Sequence, residues 1–340
     1  MKVLHILNTN SYSGAENVAI TIINHMLNVD CVYLSLNGPI SEILQNNNIH
    51  YYPVDKLSIK SLKKAIRELK PDIIHAHDYT ASILCALCFP NAKIISHIHN
   101  NSPWIKSYGI YSWAYLFSSL FYKKILTVSD SIENEYVFGN LIRNKIECIG
   151  NPTDIKLIYK KAMEYKVNKK YDVIFLGRLT PPKNPDLLMK VFKMLISIKS
   201  DIKIAVVGAG DQYESFKENV HINRLQNNVE MYGFVENPYP ILNASKIMIL
   251  PSKWEGYGLV AVEALSLGVP VICSGAGGLK NIVNSSCGKI CKTKDEYVEE
   301  IINLLNDEQG YITKSNNAKE RAKVFGDIDS YISKIENSYK

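Results

Sequence analysis

The sequence predicts an α/β fold of two doubly wound domains, each built on a parallel sheet. Three observations predict it. Short apolar runs of the kind that form buried parallel strands alternate with longer amphipathic stretches. The alternation stops in a lysine-rich stretch, residues 159–170, and then restarts. The chain has 340 residues, more than one hydrophobic core usually organises.

In the first half, residues 3–7, 32–36, 73–75, 94–97 and 125–128 read as strands, with helical patterns such as 61–69 and 111–121 between them. In the second half, strands are expected at 172–176, 203–207, 247–250 and 269–273. Strand–helix–strand repeats of this kind imply doubly wound sheets. The join falls near residues 155–170, giving domains at 1–163 and 164–324. Gly177, Gly208, Pro251 and Ser274 each stand just past a strand. The second domain therefore turns a row of loops toward one crevice, where open α/β sheets bind ligands.

Composition narrows the function. Hydrophobic residues make up 46% and charged residues 21%, as in a soluble globular protein. A net charge of +6, dispersed along the chain, argues for no nucleic-acid partner. It suits an anionic substrate or an anionic membrane surface. The first apolar run is too short for a signal peptide and no stretch is long enough to cross a bilayer, so a cytoplasmic location is expected. Seven irregularly spaced cysteines fit a reducing compartment. Cys85 and Cys88 form a C-x-x-C pair, read as small hydrophobes on a buried helix, with metal or redox use as the rival.

The strongest motif runs from Pro251 to Ala264. A strand ends, a glycine loop follows, and a helix begins near Gly258. Gly256 and Gly258 let backbone approach a ligand, and free N–H groups at the helix start can hold a phosphate. Tyr257 and Leu259 lie in the same turn. Glu255 stands at the loop mouth and Glu263 more than a turn inside the helix. Two carboxylates so placed can grip the hydroxyls of a sugar and the diol of a ribose. Glu263 sits among Ala261, Val262, Ala264 and Leu265, where an unpaired carboxylate is costly.

A second motif places Arg178 and Lys183 on a proline-stiffened loop after Gly177, within reach of one diphosphate. Asn184 and Pro185 read as a helix N-cap and first-turn proline. Gly208 and Gly210 follow another strand, but no complete G-x-G-x-x-G is present, which weakens a nicotinamide reading. In the first half, Gly14 opens a helix after the first strand. His77, His97, His99 and Asn100 stand at strand ends, suited to hydrogen-bonding hydroxyls or a phosphate; a histidine-bound metal is the rival reading.

Together these motifs resemble glycosyltransferase family 4, and the likeness runs nearly end to end. It rests on Ser13-Gly14-Ala15-Glu16, His97-Ile98-His99-Asn100, Gly177-Arg178 followed by Lys183, Gly208-x-Gly210, Gly233-Phe234-Val235, and the E-G-Y-G-x-x-x-x-E of Glu255 to Glu263. The resemblance implies the GT-B architecture, two facing Rossmann-like domains with a central crevice. It implies a retaining transfer of a hexose or hexosamine from a nucleoside-diphosphate sugar, UDP-linked by preference, without metal or other cofactor. Arg178 and Lys183 would hold the diphosphate, Glu255 the sugar and Glu263 the ribose. Gly14 would approach the phosphates and His99 would sit beside the transferred sugar. Gly177, Gly208, Phe234 and Val235 would line the donor site, with His77, His97 and Asn100 on the acceptor side. The acceptor would be a saccharide, polyprenyl-diphosphate-linked in envelope polysaccharide synthesis such as capsule or O-antigen. Lys280-Asn281 follow Gly277-Gly278 where the family often has a glutamate. A closing helix over 325–340 would pack back on the first domain. An epimerase of related fold and a non-catalytic nucleotide-sugar-binding subunit stay open. So do two readings of 108–122, a membrane-interfacial segment at the cell membrane's inner face or a core helix. Asp327 and Asp329 have D-x-D spacing but read as a helix start.

Overall fold

The computed structural model describes residues 1–340 and divides them into two compact units, Met1–Pro152 with Ile328–Lys340, and Thr153–Asp327. Each unit holds one fully parallel sheet. In the first, β1 (Lys2–Ile6), β2 (Asp30–Leu36), β3 (His50–Val54), β4 (Ile73–Ala76), β5 (Lys93–Ile98), β6 (Tyr122–Thr127) and β7 (Ile146–Cys148) run in the order β3-β2-β1-β4-β5-β6-β7. In the second, β8 (Tyr171–Leu176), β9 (Ile204–Val207), β10 (Val229–Gly233), β11 (Ser245–Leu250), β12 (Val271–Cys273) and β13 (Gly288–Ile290) run in the order β10-β9-β8-β11-β12-β13.

The strand order reverses between β1 and β4 in one sheet and between β8 and β11 in the other. Loops leaving a sheet on opposite sides of such a switch point open a crevice at the strands' carboxyl ends. Helices cover both faces, so interior strands such as β8 and β11 are almost wholly apolar and buried. In the second unit one core cluster gathers Ile174, Met248, Leu250, Val262 and Leu265, and another gathers Val173, Phe175, Val206, Phe192 and Ile301.

The two-domain division stands, with its borders moved. Helix Ile155–Ala162 belongs to the second unit, because Ile158 and Ala162 join that unit's core and Tyr159 donates to the Ser266 carbonyl at 2.6 Å. The chain thus divides at 152/153 rather than 163/164. Phe325 also stays with the second unit, packing on its core beneath the Arg321 guanidinium. Helix Ile328–Tyr339 packs on the first sheet, burying Tyr331, Ile332, Ile335 and Tyr339. Cys85 is buried on helix Tyr79–Cys88, and all seven cysteines are free thiols. Burial pushes the Cys85 thiol far up, as expected of a small hydrophobe.

Candidate active site

At the switch point of the second sheet, the loop after β8 meets the loop after β11. The Asn184 side chain donates to the Pro251 carbonyl at 3.2 Å, and the Lys253 N–H donates to the Pro182 carbonyl at 2.7 Å. Asn184 occupies the expected cap position of helix Pro185–Ile198 but does not cap it. Its backbone is left-handed and its amide is used on the neighbouring loop instead, which ties the two loops together.

This tie brings Lys183 to Glu255. Their side chains form an ion pair at 2.5 Å, with only 16% and 15% of each exposed, and Ser252 donates a further hydrogen bond to the same carboxylate oxygen. The sequence motifs gave these two residues separate tasks; here each is the other's partner. Arg178 is exposed on the same loop with its guanidinium unpaired. Helix Leu259–Ser266 starts from Gly258, whose φ of +101° favours glycine. The first N–H groups of this helix have no partner within it. A second glycine loop supports the turn: a Cβ on Gly277 would lie 1.6 Å from the Glu255 carbonyl oxygen. Gly278 donates its N–H to the Gly256 carbonyl at 3.1 Å.

Glu263, the fifth residue of that helix, is 8% exposed and accepts one hydrogen bond, from Tyr239 at 3.3 Å. Burial pushes its carboxyl up to about 7, against the opposing pull of Tyr239 and Lys161. Gly208 follows β9 and bonds to Gly233, while Phe234 projects 66% exposed just beyond β10 with Val235 half-buried beside it. Tyr239 had no signal in the sequence, since its role depends on a contact with Glu263 across the fold.

In the first unit, Gly14 is exposed as the first residue of helix Gly14–His25. Behind it Glu16 is buried and accepts from Ser13 and from Thr9, the latter at 3.1 Å, which stitches the loop. Asp78 accepts from the Ala81 and Asn8 N–H groups at 2.7 and 3.0 Å, capping one helix and holding the β1 loop. Of the residues expected on the acceptor side, His77 and His97 are 1% and 0% exposed and bond to other histidines. His99 at the strand end is half-buried and Asn100 is exposed. His5 and Tyr339 join this histidine group, and neither was singled out by the sequence.

The fold is that of the GT-B class of glycosyltransferases. Anabaena HepE, solved in complex with UDP and glucose, matches with a TM-score of 0.86 at 20% identity, covering 99% of both chains. More narrowly, the chain belongs to glycosyltransferase family 4: residues 13–157 match the family described by that name, and residues 160–325 match glycosyl transferases group 1. Among relatives, the capsular polysaccharide biosynthesis glycosyltransferase CapM of Staphylococcus aureus is 28% identical over 58% of this chain. That match spans 56% of CapM, little more than half its length. An Escherichia coli UDP-Gal:alpha-D-GlcNAc-diphosphoundecaprenol alpha-1,3-galactosyltransferase is 24% identical over 100% of this chain and 96% of its own. No helix here is long and apolar enough to cross a membrane.

Proposed function

We propose that the chain transfers a hexose or hexosamine from a UDP-sugar to a saccharide hydroxyl with retention of configuration, in the synthesis of an envelope polysaccharide. One observation carries the reading. An unpaired cation, a carboxylate–lysine pair, a glycine-started helix and a buried glutamate whose carboxyl burial pushes up to about 7 share one switch point. A nucleoside diphosphate sugar supplies a match for each. Arg178 and the helix N-terminus take the diphosphate, Glu263 takes the ribose diol, and Lys183 and Glu255 exchange their mutual bond for phosphate and sugar. Gly177, Gly208, Phe234, Val235, Tyr257 and Leu259 complete the donor contacts of the second unit, and Gly14 and His99 are the first unit's candidates for the phosphates and the sugar.

In this scheme the acceptor oxygen attacks the anomeric carbon from the face the diphosphate leaves, and the departing phosphate takes the acceptor's proton. The residues position the reactants and stabilise the growing phosphate charge. Arg178 and Lys183 supply positive charge, so no divalent metal is needed. The polyprenyl-diphosphate acceptor is favoured by the E. coli relative's name.

A membrane surface fits the first unit. Helices Ile59–Leu69, Tyr79–Cys88 and Ile110–Ser119 pack side by side. They expose Lys60, Lys63, Lys64 and Arg67, then Leu87, then Tyr111, Trp113 and Phe117. Residues 101–129 contain no acidic side chain. Basic and aromatic groups in one layer suit an anionic headgroup zone.

The test is product analysis. With UDP-sugar and a lipid-linked saccharide, the product's anomeric proton coupling should match the donor's, and activity should survive chelator. Asp327→Asn with Asp329→Asn should turn over normally. An inverted product, or chelator inhibition reversed by magnesium or manganese, overturns the scheme. Epimerised sugar released from donor alone favours an epimerase, and donor binding without turnover on any acceptor favours a binding subunit.

A further inference from the structure

The first unit contains five clustered histidines of which the proposed reaction uses one. His5 on β1 stands opposite His75 on β4, and Ile95 on β5 stands opposite the same His75. His77 and His97 follow two residues along, on the same face of the sheet. His5 Nδ1 lies 2.9 Å from His77 Nε2, and His77 Nδ1 lies 3.0 Å from His99 Nε2. A parallel chain runs from the Tyr339 hydroxyl to His75 Nδ1 at 2.7 Å and from His75 Nε2 to His97 Nδ1 at 3.2 Å.

Nitrogens of His5, His75 and His77, and of His77, His97 and His99, lie within 4.8 Å of one another, close enough for a metal. The ring planes argue against one. An imidazole lone pair lies in its ring plane, and the bonded rings are inclined by only 28° for His5–His77, 10° for His77–His99 and 21° for His75–His97. In each bonded pair the in-plane lone pair faces the neighbouring nitrogen rather than a shared ion. The nitrogens are instead used on each other, as a hydrogen-bonded ladder.

Burial holds all five rings neutral, with His5 and His99 pushed down to about 3. A neutral imidazole carries one N–H. The His5–His77–His99 chain thus has three, and its two internal contacts use two. The third must sit at an end, on His5 Nε2 or His99 Nδ1. Both are unpartnered, but His5 is 0% exposed with no acceptor, and a buried unmet donor is costly. His99 Nδ1 is buried as well, but the nearby Asn151 side chain has an unpartnered carbonyl oxygen that can accept from it.

We propose that His5 and His77 are positioning residues that lock His99 in the Nδ1–H tautomer, a donor to the Asn151 carbonyl oxygen that fixes the orientation of the ring. Each ring in the chain then donates from Nδ1 and accepts at Nε2, except His5, whose Nε2 is bare. The consequence for turnover rests on the glycosyl-transfer reading; the tautomer does not.

Nitrogen-15 NMR of the full, ligand-free chain tests it, with His99 assigned through His99→Gln. His99 should appear as neutral Nδ1–H and not titrate between about pH 5 and 8. An Nε2–H form, or a tautomer average, in the wild type overturns the proposal. His77→Phe removes the donor and should leave His99 averaged. His77→Asn places a carboxamide N–H where Nδ1–H was and should restore the lock. An unchanged tautomer in the first variant, or an averaged one in the second, also overturns it. If His77→Phe does not fold, the wild-type spectrum and His77→Asn decide. Turnover should drop about 10–100-fold in His77→Phe and recover in His77→Asn. A tautomer that shifts while turnover does not would leave the ladder standing and remove His99 from the reaction.

Discussion

At the scale of single residues, Glu263 and the Lys183–Glu255 pair make opposite predictions for stability. Glu263 titrates near 7 when folded against 4.5 in its ordinary state, because burial disfavours its charge. A folded pKa above the unfolded one means stability present below about pH 4.5 and lost as pH rises through 7. The loss approaches about 3 kcal/mol for a shift of this size. Glu263→Gln should therefore raise the melting temperature at pH 8 while weakening UDP-sugar binding, read by calorimetric scan and titration. A variant that loses stability at pH 8 would contradict the assigned burial cost. Lys183→Ala should do the reverse. It strands the 15%-exposed Glu255 carboxylate and should cost about 1–3 kcal/mol by denaturant unfolding, with turnover also reduced. Arg178 has no partner to strand. Arg178→Ala should leave unfolding within about 0.5 kcal/mol of wild type and lower kcat about 10²–10³-fold, the range for losing one transition-state donor.

At the scale of elements, the glycine loop and the aromatic helix carry the tests. The loop at Gly277 exists to support the Glu255 turn. Its φ is +55° and a Cβ would collide with the Glu255 carbonyl, so Gly277→Ala must displace one loop or the other. A donor affinity loss of tenfold or more is expected together with a lower melting temperature; wild-type binding would mean the loop adjusts freely. Helix Ile110–Ser119 has one buried and one exposed face. Ser112, Tyr115, Ser118 and Ser119 face the core, while Ile110, Tyr111, Trp113 and Phe117 face outward. Because the outer residues are exposed, Trp113→Ser with Phe117→Ser should barely change stability yet reduce co-sedimentation with anionic liposomes at low salt. Unchanged sedimentation would remove this helix from any membrane contact. The elements themselves were unequally legible. Every strand the sequence revealed lies inside a sheet, and the four it concealed, β3, β7, β10 and β13, are the sheet edges. Interior strands are covered on both faces and read as apolar runs. Edge strands such as His50–Val54, with its tyrosines and Pro53 half-exposed or exposed, mix polar and apolar residues and leave no run to find.

At the scale of the whole molecule, the chain ends on the first unit after crossing the second. The closing helix buries Ile335 and Tyr339 on the first sheet, and Tyr339 bonds to His75. Deleting residues 328–340 should lower the melting of the first unit while the second, Thr153–Asp327, keeps its own transition, resolved as two peaks by calorimetry. A single peak shifted as a whole would show that the units unfold together. The parallel α/β class, the existence of two domains, the glycine loops past the strands and the family could all be read in the sequence, because each is written locally: apolar runs, glycines past strands, two glutamates eight residues apart. The tertiary structure alone decided what depends on distant partners. It joined Lys183 to Glu255 across 72 residues, set Tyr239 on Glu263, and bonded His77 to His5 and His97 to His75 away from solvent. It also gave helix Ile155–Ala162 to the second unit. A sequence records each residue's chemistry and its neighbours along the chain, whereas burial, partners and protonation are set by groups that only folding brings within a few ångströms.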